Sequence, residues 1–313
     1  MRLDPAATAF VFPGQGSQVV GMGRDLAEAY PAARAVFEQA DAVLGMAFSG
    51  IMWNGPDSAL NDTLNTQPAL YIHSMAAHRV FCEKYPDFTP AAMAGHSLGE
   101  LAALAAAGSL SFEEGLRLVR TRGELMKRAG EQNPGGMAAI LNLSIPELEA
   151  VCAAASTPEE KVQVANDNCP GQVVISGAKA AVERAMAGAR AAGAKRAVPL
   201  AVSIAAHSRL MAGIQDEWNA AVEAAGLREA SLPVVGNVSA RALSTAAELA
   251  DDLRQQMQSR VRWAESVRLL GGRGVASFVE VGTGSTLLGL IRRILPAAAG
   301  FPLGQPADFI GLE

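Results

Sequence analysis

The sequence predicts an α/β protein in which a larger unit of alternating strands and helices carries an inserted, ferredoxin-like βαββαβ unit. Three observations predict it. Gly95-His96-Ser97-Leu98-Gly99 lies between a short apolar run, residues 91–94, and a helix-forming run, residues 100–107, that stops at Gly108. Residues 130–200 read as strand, helix, strand, strand, helix, strand, the split βαβ order. Strand and helix patterns then resume beyond residue 200. The expected division is 1–129 with 201–313 for the larger unit and 130–200 for the insert.

Of the 313 residues, half are hydrophobic and 18% are charged, enough to bury a large core and too apolar for a disordered chain. A formal net charge of −5 supplies no basic field for nucleic acid or an anionic membrane. No apolar run approaches the roughly 20 residues of a membrane helix, and Met1-Arg2-Leu3-Asp4-Pro5 lacks the apolar stretch of a signal peptide. Cys82, Cys152 and Cys169 are odd in number and far apart, which fits small buried hydrophobes in a reducing cytoplasm. No metal site is expected.

In chain order, residues 8–12 form the first strand. It enters Pro13-Gly14-Gln15-Gly16-Ser17-Gln18, a loop that lacks the lysine of a P-loop and reads instead as backbone N–H groups at a strand's C-terminal end. A helix spans about 32–44, and another starts after Thr66-Gln67 with Pro68 near its first position. His73 and His78 on that helix point about 140° apart, so they make no metal pair. In the Gly-x-Ser-x-Gly turn, Ser97 is exposed above the sheet as a nucleophile, and the Leu98 N–H is placed to stabilise an oxyanion.

Ser111-Phe112-Glu113-Glu114 is a capping box that opens a helix to about residue 129. On its wheel, at about 100° per residue from Leu116, Arg122 falls near 240°, the only charge inside the apolar arc. It is either a snorkelling stem in a structural ion pair or a cation held beside a pocket for an anionic ligand. Within the insert, strands at 136–141, 162–165, 173–176 and 196–200 alternate with helices at 145–155 and 180–192, and 166–171 is read as a turn. Val198, Leu200, Val202 and Ile204 alternate as one strand. His207 follows on a loop, with Ser208 capping the helix to about 225. Of the four histidines it is the one placed like the base of an elbow enzyme. Later come a strand at 233–238, helices at 246–257 and 263–270, a strand at 277–281, a Gly282-Thr283-Gly284 turn read as a strand-to-helix connection, and a last helix. The tail from Pro296 is expected on the surface.

These residues resemble the malonyl-CoA:acyl carrier protein transacylases and the acyltransferase domains of polyketide synthases. The landmarks are residues 12–18, 95–100, Arg122-Gly123, 166–168 with 170–177, His207-Ser208, Gln256 before Val261-Arg262-Trp263, and Glu280-Val281-Gly282. They cover nearly the whole chain. The resemblance implies an α/β-hydrolase-like larger subdomain around the ferredoxin-like one. It implies Ser97 as nucleophile, His207 as base and then acid, Gln256 at the position that steadies the histidine, and an oxyanion hole from the Gln15 and Leu98 N–H groups. Arg122 would clamp the malonyl carboxylate, with Asn166 and Asn168 also binding substrate. A monomer in the cytoplasm is expected, with malonyl-CoA and an acyl carrier protein as its partners, coenzyme A entering only as a thioester substrate and no cofactor. Leu101 stands where many relatives carry an aromatic residue, and Arg260 where a proline is common. Ala205-Ala206 replace bulkier residues beside the acyl pocket, which would give room for a branched extender. The alternatives are a polyketide acyltransferase with another extender unit, a serine thioesterase and a carrier-protein docking module. Arg117, Arg120, Lys127, Arg128, Lys195 and Arg196 either meet an acidic carrier protein or, for the first four, form a solvated helix face.

Overall fold

A computed structural model describes residues 3–202 and 204–310. Of the N-terminal pentapeptide read above, Met1 and Arg2 therefore lie outside the described residues, as does Ser203 in the expected strand over 198–204.

The chain begins with strand β1 (Thr8–Phe12), then helices α1 (Arg24–Ala29), α2 (Pro31–Leu44), α3 (Phe48–Asn54), α4 (Asp57–Leu60) and α5 (Thr63–Lys84). Next come β2 (Ala92–Gly95), α6 (Gly99–Ala106) and α7 (Phe112–Gln132). The middle holds β3 (Gly135–Leu141), α8 (Ile145–Ala155), β4 (Val162–Cys169), β5 (Gln172–Ala178), α9 (Lys179–Ala191) and β6 (Arg196–Pro199). The remainder is α10 (Gln215–Ala224), β7 (Val234–Val235), β8 (Ala242–Leu243), α11 (Ala246–Gln256), α12 (Trp263–Gly272), β9 (Ser277–Val281), α13 (Thr286–Ile294) and β10 (Ala299–Leu303).

Two sheets result. The first has the order β10-β9-β1-β2-β7-β8, parallel except for the β7–β8 pair. Its central strands β1 and β2 are buried at every residue, as a parallel sheet covered by helices on both faces requires. The second is antiparallel, with the order β4-β5-β3-β6 and helices α8 and α9 packed on it. Its core draws only on residues between Ala138 and Ala197.

The register of the first sheet builds the site. β1 and β2 run side by side, and Phe12 is the partner of Gly95 at their C-terminal ends. The loop after Phe12 and the turn after Gly95 therefore leave the same edge together, where open α/β sheets bind ligands. Contact is close: a Cβ on Gly99 would sit on the Phe12 carbonyl oxygen, and one on Gly95 would strike the backbone of Gly99. Only glycine fits either position.

Several sequence expectations are corrected. Helix α5 starts at Thr63, capped by Asp62, so Pro68 lies inside it rather than at its first turn. The proline leaves the Leu64 carbonyl without its helical donor, and Arg120 Nη1 supplies one at 3.2 Å. The expected turn over 166–171 is mostly strand: β4 continues to Cys169 with two register shifts, and the turn is confined to Pro170-Gly171. The alternation over 198–204 is not one strand. β6 ends at Pro199, and Val198 and Leu200 are exposed. The 233–238 strand shrinks to two residues, Val234–Val235. The tail is no surface segment either. β10 adds a sixth strand, and Leu303 and Phe309 are buried.

Candidate active site

Ser97 sits at φ 52°, a left-handed conformation that costs a non-glycine residue energy and throws the side chain clear of the sheet. Asn237 fixes that turn. Its Oδ1 accepts from the Ser97 N–H at 2.7 Å, and its Nδ2 donates to the Gly95 carbonyl at 2.7 Å. The Asn237 N–H in turn donates to Glu100 at 3.3 Å.

His207 is the histidine that reaches the serine, with Nε2 2.7 Å from Ser97 Oγ. Its Nδ1 is 2.9 Å from the main-chain carbonyl of Gln256. A carbonyl can only accept, so Nδ1 carries the proton and Nε2 is left to take one from the serine. Burial first, and then the Arg122 cation, push His207 down to about 3, so the ring is neutral near pH 7. His96, beside the serine in sequence, turns away, and its Nε2 pairs with Asn168 Oδ1 at 2.8 Å.

Arg122 is buried on the inner face of α7, where the wheel places it. Nη1 donates to Gln67 Oε1 at 2.7 Å, and Nη2 donates to Gln256 Oε1 at 2.8 Å and to Ser97 Oγ at 3.1 Å. Nε has no partner, and no carboxylate among the described residues lies within ion-pair distance. This removes the structural ion-pair explanation. Burial lowers Arg122 to about 10, which leaves it charged, and the Glu100 carboxyl opposes that shift.

Gln256 joins these groups. Its carbonyl holds the histidine, while its side chain accepts from Arg122 and donates to the Ser97 carbonyl at 3.0 Å and to Glu100. Glu100 is buried, and burial together with nearby Asp252 raises its carboxyl well above the ordinary range.

A pocket of about 190 Å³ opens over Ser97. Gln15, Leu98, Arg122, Asn166, Asn168, Ala206 and His207 are among its walls, so all the predicted site residues except Gln256 reach it, and Gln256 stands directly behind. The Gln15 and Leu98 amides donate to no other described group. Asn168 is engaged with His96, and Asn166 forms a bridge with Val261. Ala206 lines the pocket, whereas Ala205 is buried away from it against Gly135. Of the basic helix residues, Arg120, Lys127 and Arg128 are paired with Glu124, Asp62 and Glu217, which is the ordinary behaviour of a solvated face.

Sequence reasoning missed Gln67, Asn237 and Glu100. Glu100 alone carried a signal, as the one charge in the apolar run of α6. The arrangement can deprotonate Ser97, stabilise an oxyanion beside it, and hold an anionic group within reach of the resulting ester.

Residues 9–302 match the family model described as an acyl transferase domain. The malonyl CoA-acyl carrier protein transacylase of Haemophilus influenzae is 43% identical over 97% of both chains. That of Bacillus subtilis is 43% identical over 91% of this chain and 90% of its own. Among solved structures, an acyl carrier protein S-malonyltransferase from Vibrio cholerae aligns with a TM-score of 0.95 at 40% identity, covering 98% of this chain and all of that one. A malonyl-transacylase in complex with its type II polyketide-synthase acyl-carrier protein aligns at 0.94 and 40% identity, covering 97% and 98%.

Proposed function

The chain belongs to the acyl transferase family, and from that premise we infer that it moves a malonyl group from malonyl-CoA to the phosphopantetheine thiol of an acyl carrier protein. The observation that carries the reading is Arg122, a buried cation 3.1 Å from Ser97 Oγ with no carboxylate of the described protein to neutralise it. A malonyl ester on Ser97 ends in the carboxylate this cation lacks, and a guanidinium binds it through two parallel hydrogen bonds.

The reaction runs as two half-reactions through one ester. His207 Nε2 takes the Ser97 proton as Oγ attacks the thioester carbonyl, and the Leu98 and Gln15 N–H groups stabilise the oxyanion. The coenzyme A thiolate leaves and takes the proton back from His207. The carrier thiol then enters, gives its proton to His207 and attacks the malonyl ester. Ser97 Oγ departs and recovers that proton. Asn166 borders the bound acyl group, and Asn168 acts there through its bond to His96. Ala206 leaves space at one wall, which favours tolerance of a branched extender.

The division we favour is an α/β-hydrolase-like subdomain over 1–129 and 201–313 with a ferredoxin-like insert over 130–200. It is supported by the separate sheets and the separate core of the insert. A cytoplasmic monomer without a cofactor is the assembly we propose. Three free cysteines support a reducing compartment, and no described helix is long and apolar enough to cross a membrane. Only five large apolar side chains are exposed among the described residues, few for an obligate interface.

Intact-mass measurement after mixing with malonyl-CoA, acetyl-CoA or methylmalonyl-CoA tests the reading. A malonyl adduct is expected on the wild type and none on Ser97→Ala, whose fold should persist. An adduct of the same mass on that variant would place the nucleophile elsewhere.

A further inference from the structure

We propose that Gln163, a residue of the second sheet, is a positioning residue for His207, an inference that rests on the acyl-transfer reading of the site. His207 stands at φ 57°, a conformation that persists only where its surroundings hold it. The ring is held by Gln256, at the last turn of α11, and the histidine itself lies in a stretch without regular structure. The 2.7 Å contact with Ser97 therefore depends on two chain segments keeping their distance.

Gln163 ties those segments together. Its Nε2 donates to the His207 carbonyl at 3.2 Å and to the Gln258 carbonyl at 3.1 Å. Its Oε1 accepts from the Arg209 N–H at 3.3 Å. Two carbonyls require the NH₂ end and one N–H requires the oxygen, so the neighbours fix the orientation of the amide. One side chain thus spans the histidine turn and the segment whose carbonyl holds the ring.

The strand beneath it is itself anchored. The Asp167 N–H donates to the Val261 carbonyl at 2.9 Å, and the Val261 N–H donates to the Ala165 carbonyl at 2.8 Å. β4 therefore grips the segment after α11 at Val261 through two backbone bonds, with Gln163 reaching back to Gln258 and across to the histidine. Gln163 is only half-buried and borders an open cleft of about 480 Å³, so it fills no packed core. Its substitution should disturb the alignment of the base more than the stability of the fold.

The test uses the full chain with Gln163→Glu and Gln163→Met beside the wild type. Single-turnover loading from malonyl-CoA and from acetyl-CoA is followed, together with thermal unfolding. Glutamate keeps the shape and the acceptor for Arg209 but, when ionised, cannot donate to either carbonyl. Methionine removes all three bonds at similar length. Both variants should load roughly 10- to 100-fold more slowly at saturating thioester, equally for the two thioesters, with KM within about two-fold and Tm little changed. Wild-type rates in both variants would overturn the proposal and leave the function standing. A loss of rate that follows a loss of Tm would overturn it too, by reducing Gln163 to a brace. A wild type that forms no adduct would sink the acyl-transfer reading and this proposal with it.

Discussion

Arg122 is tolerable in the interior only because Gln67, Gln256 and Ser97 accept three hydrogen bonds from its two terminal nitrogens, leaving the charge itself uncompensated. Removing one partner from a desolvated ion pair costs about 3–5 kcal/mol. Arg122→Ala should therefore lower malonyl loading by roughly 10²–10³-fold while acetyl loading, which strands no carboxylate, changes little. Arg122→Lys should fall between, since it keeps the charge and loses the fork. Competition between the two thioesters, read by intact mass, measures this; equal losses for both would exclude the clamp. His207→Ala should slow transfer at least roughly 10²-fold, and near-normal turnover would remove it from the mechanism. The residues with a distinctive chemical context in one dimension, Ser97 in its glycine turn and Arg122 in its apolar arc, were legible from sequence. Asn237 was not, because it reaches Ser97 from 140 residues away along the chain.

At the scale of elements, α7 carries Arg122 into the site, and its start is set by a capping box in which Ser111 Oγ accepts from the Glu114 N–H at 3.2 Å and Glu114 returns a bond to the Ser111 N–H at 2.7 Å. Ser111→Ala should cost about 1 kcal/mol of stability, the usual value of such a cap. Urea unfolding would show it as a lower midpoint at unchanged slope, with the malonyl-to-acetyl preference intact; a shifted preference would mean that the cap sets the position of Arg122. Caps of this kind made helix starts readable at residues 111 and 144. The errors share a physical origin in tertiary compensation. Pro68 looked like a first-turn residue because its missing bond is repaired by Arg120 from another helix. Asn166–Asn168 looked like a turn because bulged strands tolerate asparagine where regular ones seldom do. β10 was hidden by Gly300 and Pro302, which an edge strand can accept.

For the whole molecule, buried titratable groups set the response to acid. Burial lowers His73 and His78 to about 4 and His207 to about 3, so each contributes stability that is present above its unfolded value near 6.5 and is lost as pH falls through the folded one. Glu280 acts in the opposite sense. Burial raises it to about 7, so its contribution is present below its unfolded value and fades as pH rises toward 7. Burial also lowers His96 and raises Glu100 and Asp167, so four histidines outnumber three carboxylates, and stability falls from about pH 6.5 toward pH 4 at roughly 1.4 kcal/mol per pH unit for each net proton. Urea midpoints across that range should drop steadily, and a flat profile would contradict the burial of these rings. The sheet order has a consequence for synthesis. β1 is flanked by β2 and by β9, and the latter is made some 270 residues later, whereas the four strands of the second sheet all lie within one stretch of chain. A ribosome-bound chain halted near residue 260 should therefore already shelter residues 130–200 from protease while residues 8–12 stay open to cleavage. Early protection of the first strand at that length would contradict this order of assembly. Completion of the catalytic edge thus waits until β9 has been made, and a chain released before that point holds the serine without a finished sheet beneath it.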